Sequence, residues 1–123
     1  MQALVIDDSR TVRAIIGKTL RELGMDVLEA AHGQEGLEQL RAAPGIRLVL
    51  VDWNMPVMNG LEFIKAVRAI SAHDAIRIMM VTTETEQEQV LKALAAGANE
   101  YLMKPFSPEI LVAKLSLMNV ISE

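Results

Sequence analysis

Leu48-Val49-Leu50-Val51-Asp52 is the stretch that decides the fold. Four apolar residues in a row, closed by a carboxylate, leave no polar side for water to wet. Such a strand suits a parallel sheet whose two faces are both covered by helices. Downstream, Gly60 precedes a helical pattern carrying Leu61, Ile64, Val67 and Ile70. Ile76 to Val81 is a further short apolar run, broken by Thr82-Thr83. Thr85 and Glu88 have the spacing of a capping box that starts another helix, and Gly97 ends it. Tyr101 to Met103 is the last run, stopping at Lys104. Ser107-Pro108-Glu109 then reads as an N-cap, a proline at the first helical position and an acid in the first turn. Upstream, Ala3 to Ile6 breaks at Asp7-Asp8-Ser9, and a helix from about Thr11 to Leu23 is closed by Gly24. Val27 to Ala30 is a short run, followed after Gly33 by a helix with Leu37 and Leu40 that stops at Pro44-Gly45.

The run-then-helix unit thus occurs five times in 123 residues. Strict alternation predicts an α/β fold with helices on both faces of a parallel sheet and right-handed crossovers. For five strands the expected arrangement is the doubly wound, flavodoxin-like order 2-1-3-4-5 with five helices. The length suits one domain over 1–123, with no output domain.

Composition narrows the function. A net charge of −4 argues against nucleic acid, which selects clustered basic surface. Cysteine is absent, which removes disulfides and thiolate metal sites, and the two histidines, His32 and His73, read as ordinary loop residues. No apolar run reaches the roughly 20 residues of a spanning helix, so no membrane insertion is expected. The first residues lack a basic region and a cleavage site, so a cytoplasmic location is expected.

The polar residues that end the runs are Asp7 and Asp8, Asp52, Thr82 and Lys104. In an open α/β sheet the carboxyl ends of the strands share one edge, where the functional crevice lies. The fold therefore predicts three carboxylates, a hydroxyl and an ammonium in one place. Close carboxylates repel one another and need cations. Lys104 supplies one positive charge, and an all-oxygen ligand set favours a hard ion such as Mg²⁺. A carboxylate beside Mg²⁺ can be the nucleophile in phosphoryl transfer. Taken singly, Asp7-Asp8-Ser9 could be a turn, Asp52 a cap, Thr82 the start of a turn and Lys104 a solvated lysine. Those bland readings must all hold at once, at one sheet edge.

Asp7-Asp8, Asp52-Trp53-Asn54-Met55-Pro56 with Gly60, Thr82-Thr83-Glu84, Tyr101 and Lys104-Pro105-Phe106 together resemble the response-regulator receiver family over essentially the whole chain. The resemblance implies phosphorylation of Asp52 by a histidine kinase. It implies Mg²⁺ held by Asp8, by Asp7 mainly through water, by Asp52 and by the Asn54 backbone carbonyl. Lys104 would pair with Asp52 and then with the phosphoryl oxygens, Thr82 and Tyr101 would turn inward as the switch, and the Lys104-Pro105 bond would be cis. Such a protein promotes its own phosphorylation and dephosphorylation without being a conventional enzyme. Its output would be a separate protein on the face of the fourth helix, fifth strand and fifth helix, with chemotaxis and the flagellar motor switch as the suggested process and target.

Four other classes compete. A phosphorelay intermediate would share every site residue. A Mg²⁺-dependent aspartyl-phosphate phosphatase of the haloacid dehalogenase type places a second Asp two residues after its nucleophile, and here that residue is Asn54. A flavodoxin-type carrier needs a hydroxyl-rich phosphate loop where this chain has Asp7-Asp8. A non-phosphorylated interaction domain has no need of the intact polar set. Trp53 is expected beside the site and partly exposed, and Met103, pointing away from the site, is expected near a partner surface.

Overall fold

The structure, a computed structural model, describes residues 1–83 and 87–121. The order is β1 (Gln2–Ile6), α1 (Arg10–Glu22), β2 (Asp26–Ala30), α2 (Gly33–Ala42), β3 (Ile46–Asp52) and α3 (Gly60–Arg68). A 3-10 turn (Ser71–His73), β4 (Arg77–Thr83), α4 (Gln87–Ala96), β5 (Glu100–Lys104) and α5 (Pro108–Leu117) follow. All neighbouring strands pair in parallel, in the order β2-β1-β3-β4-β5. This is the expected flavodoxin-like sheet.

The side chains divide between the faces with the period of two that strands impose. Leu4, Ile6, Val49, Val51, Ile78 and Met80 pack under α2, α3 and α4, around Phe63, Ile64 and Val67. Ala3, Val5, Leu48, Leu50, Met79, Val81 and Leu102 pack under α1 and α5, against Ile16, Leu20, Leu111 and Leu115. Both faces of the central strands are therefore dry, which is why β3 and β4 read as unbroken apolar runs.

Several element ends follow local chemistry. Ser9 and Ser107 cap α1 and α5 by accepting from the Val12 and Ile110 amides, and Gly24, at φ +88°, takes the left-handed turn that releases the chain after α1. Two expectations need correction. His32 is not merely a loop residue: its Nδ1 accepts from the Glu35 amide at 3.2 Å and caps α2. Ile70 lies beyond the end of α3 and is 47% exposed, because the helix stops at Arg68. The Thr85–Glu88 box includes a residue outside those described.

Arg68 is the last residue of that helix. Its guanidinium donates to the carbonyls of Gly97, His73, Asp74 and Ile76 and to Asn99 Oδ1. Asn99 in turn accepts from the Ile78 amide at 2.8 Å. One side chain thus ties α3, the 3-10 turn, the start of β4 and the α4–β5 connection. Arg68→Ala is expected to cost about 2–4 kcal/mol in urea unfolding, since several carbonyls lose a charged donor at once. A loss under 0.5 kcal/mol would show that water replaces it without cost.

Candidate functional site

The carboxyl ends of β1, β3 and β5 meet at one edge of the sheet. Asp7 directly follows β1, Asp52 ends β3 and Lys104 ends β5. Asp7 and Asp52 are almost wholly buried, at 1% and 7% exposure, while Asp8 is exposed. Ligand oxygens of Asp7, Asp8 and Asp52 lie within 4.8 Å of one another. Lys104 Nζ donates to Asp7 Oδ2 at 3.1 Å and to Asp52 Oδ1 at 3.3 Å. The structure thus brings Asp7, Asp8, Asp52 and Lys104 together, and the Lys104-Pro105 bond is cis.

The frame around the cluster is specific. Asp7 Oδ1 accepts from the Ser9 amide at 2.8 Å. Its own amide donates to the Ala30 carbonyl at 3.1 Å, and its carbonyl accepts from Arg13 Nη1 at 2.6 Å. After Asp52 the chain turns sharply, and the Gly60 amide donates to the Trp53 carbonyl at 2.9 Å. A Cβ on Gly60 would lie 2.6 Å from the Asp52 carbonyl oxygen, so only glycine lets α3 start this close to the acidic residue. Asn59 and Glu62 then form a capping box at the start of α3. Within the connecting loop, the Met58 amide bonds the Pro56 carbonyl around Val57, whose φ is +68°. A β-branched residue in that region is strained. Asn54 is exposed in the same loop and Trp53 is half-buried beside it.

Burial pushes the Asp52 carboxyl up, and the Asp7 charge adds to the push. Lys104 pulls it back through its charge and hydrogen bond, Asp8 adds a further rise, and the result is about 6. Burial alone would depress the Lys104 ammonium, but the bond to Asp7 and the charges of Asp52 and Asp7 outweigh it and raise the group above its ordinary range. At neutral pH the site thus holds an ionised Asp52 that is poorly compensated. The donor set fits a hard divalent cation: it is all oxygen, one carboxylate is open to solvent and the charge deficit is real.

Thr82 and Tyr101 occupy a different position from the acidic trio. β4 runs two residues further than its apolar run, so Thr82 and Thr83 close the strand rather than follow it, and Thr82 is 1% exposed. By strand alternation Thr82 lies on the face of Met80, Tyr101 and Met103, opposite the face of Lys104. Tyr101 is half-buried, and Lys114 Nζ sits 3.9 Å from its ring centroid. Glu100 holds that lysine at 3.2 Å. Val90, Leu91, Leu94, Tyr101 and Met103 line an open apolar groove of about 360 Å³ between α4 and β5. Arg13, Val57 and Glu100 escaped the sequence reading. Only contacts distant in sequence distinguish the two charged residues from solvated ones.

An α/β domain with this acidic crevice is of the receiver type. The family model for the response regulator receiver domain matches residues 3–116, and the chain belongs to that family. The Chemotaxis protein CheY1 of Helicobacter pylori is 49% identical over 119 residues, 96% of each chain. The Chemotaxis protein CheY homolog of Campylobacter jejuni is 49% identical over 116 residues, covering 94% of this chain and 89% of that one. Among solved structures, the chemotaxis protein CheY4 of Vibrio cholerae superposes with a TM-score of 0.86 at 40% identity, over 98% of each chain. A two-component response regulator/GGDEF domain protein superposes at 0.91 with 34% identity, over 97% of this chain and 49% of its own. No helix among the described residues is long and apolar enough to cross a membrane.

Proposed function

We propose that this chain is a response-regulator receiver that accepts a phosphoryl group on Asp52 from a histidine kinase. The observation that carries the reading is the convergence of Asp7, Asp8, Asp52 and Lys104 at the carboxyl edge of the sheet. An Asp52 oxygen attacks phosphorus, the bond from phosphorus to the imidazole nitrogen breaks, and its electron pair stays on that nitrogen, which takes up a proton. Attack of water on phosphorus later releases inorganic phosphate and restores the carboxylate. The protein is thus a self-resetting signalling device rather than a conventional enzyme.

Asp8, Asp52 and the Asn54 carbonyl would hold Mg²⁺. Both oxygens of Asp7 already accept bonds, from Ser9 and Lys104, which favours contact through water. The ion supplies charge neutralisation for the crowded oxygens of the transferring group. Lys104 stands ready to move from Asp52 Oδ1 to a phosphoryl oxygen, and Thr82 offers a hydroxyl from the adjoining strand. Thr82 and Tyr101 share one face of the sheet, so an inward turn of the first opens room for the second. That coupling biases two arrangements of the face made by α4, β5 and α5. The groove beside Tyr101 and Met103, flanked by Leu91 at 71% exposure, suits an apolar helix of a separate output protein. The names of the relatives suggest chemotaxis, and a flagellar motor protein as target and a cytoplasmic location are part of the same proposal.

Intact mass after mixing with acetyl phosphate and Mg²⁺ tests the acceptor. One phosphoryl adduct is expected, absent in Asp52→Asn and absent with chelator. An adduct that survives Asp52→Asn would place the acceptor elsewhere.

A further inference from the structure

We propose that Arg13 is a positioning residue for the acidic site, fixing the Asp7–Asp8 peptide so that Asp8 faces a divalent cation. The inference rests on the receiver reading above. Arg13 lies in the second turn of α1 with its side chain 16% exposed. Nη1 donates to the Asp7 carbonyl at 2.6 Å, and Nε donates to Glu29 Oε1 at 3.0 Å. The two donors sit on one rigid guanidinium plane. Glu29, on β2, therefore dictates where the other end of the fork lands.

The consequence is a fully restrained Asp7. Its amide, its carbonyl and both carboxylate oxygens each have a partner: Ala30, Arg13, Ser9 and Lys104. Asp8 is the opposite case, exposed and without a hydrogen bond of its own among the described residues. Its direction is inherited from the peptide plane it shares with Asp7, and the Arg13 grip on the Asp7 carbonyl sets that plane. Partners behind a metal ligand commonly change affinity 10–100-fold when removed. A charge-assisted bond this short is strong enough to act in that way.

The experiment is a Mg²⁺ titration of the intact protein, followed by Trp53 fluorescence and by the Asp8 amide shift. Its variants are Arg13→Met, Arg13→Lys, Glu29→Gln and Arg21→Met. Arg13→Met is expected to weaken Mg²⁺ about 10-fold. Arg13→Lys, lacking the fork, should recover only part of that loss, and Glu29→Gln should fall between. Arg21→Met breaks only a 3.8 Å pair with Glu29 and should bind as wild type. Without metal, Arg13→Met should shift the Asp8 and Ser9 amides and Arg21→Met should not. Should Arg13→Met fail to fold, Glu29→Gln carries the test. Reduced urea stability with Mg²⁺ affinity within about twofold of wild type would make Arg13 a mere bridge between α1 and β2 and overturn the proposal. A wild type blind to Mg²⁺ would overturn the receiver reading and this inference together.

Discussion

In metal-free buffer at pH 8, Asp52→Asn is expected to be about 3 kcal/mol more stable than wild type, with the gap closing below pH 4. The folded protein holds the Asp52 proton up to about pH 6, chiefly because burial and Asp7 disfavour the charge. The unfolded chain releases that proton near pH 4. Between those values the folded state binds more protons than the unfolded state, so stability falls as pH rises through the window. Above pH 6 the whole penalty is present, and two units of displacement correspond to about 3 kcal/mol. Asparagine keeps the shape and removes the charge, while Lys104 retains Asp7 at 3.1 Å. Urea unfolding from pH 4 to 8 with chelator measures the effect. Equal stability at pH 8, or a wild type that gains stability between pH 4 and 6, would refute the account. Added Mg²⁺ should stabilise wild type more than the variant, because the cation relieves the same penalty. The Asp52 carboxylate therefore costs the resting fold something, as functional groups often do.

The sheet was legible because its signal is local. Four of the five apolar runs abut Asp or Thr and the fifth stops at Lys104, and the parallel arrangement follows from runs that are apolar on both faces. The acidic cluster was legible for a related reason: strand order places Asp7, Asp52 and Lys104 at one edge once the strands are known. The extension of β4 through Thr83 was not legible, because threonine reads equally as strand or turn until Met103 and Lys104 are seen pairing with it. Arg68 and Arg13 were invisible for a stronger reason. An arginine on an amphipathic helix reads as solvated, and what removes each from that class is a set of partners in other elements, up to 31 positions away for Asn99. The strain at Val57 could not be read from its residue type, which disfavours the conformation it adopts.

Lys104→Ala is expected to lower stability by about 3 kcal/mol at pH 8 without metal, while leaving Asp52 open to phosphorylation. The ammonium is bonded to two carboxylates whose side chains are only 2% and 9% exposed. Removing one partner of a nearly buried pair leaves uncompensated charge, which costs far more than the pair itself contributes. Loss of Lys104 also removes what holds the Asp52 carboxyl down, so Asp52 keeps its proton to still higher pH. The destabilisation should therefore shrink as pH falls towards 5, where Asp52 is neutral in the folded state. Asp52→Asn in the Lys104→Ala background should stabilise by more than the roughly 3 kcal/mol it gives in wild type, because the carboxylate there has lost its cation, and the excess is the Lys104–Asp52 coupling energy. A loss independent of pH, and unaffected by Asp52→Asn, would mean that the lysine acts only through its apolar stem. For the switch, acetyl phosphate and Mg²⁺ should still give the adduct, since the nucleophile is intact. The amides of α4, β5 and α5 should then fail to shift as they do in wild type. A normal response of that face in phosphorylated Lys104→Ala would show that Thr82 and Tyr101 read the phosphoryl group without the ammonium. In that case Lys104 would serve the resting charge balance alone.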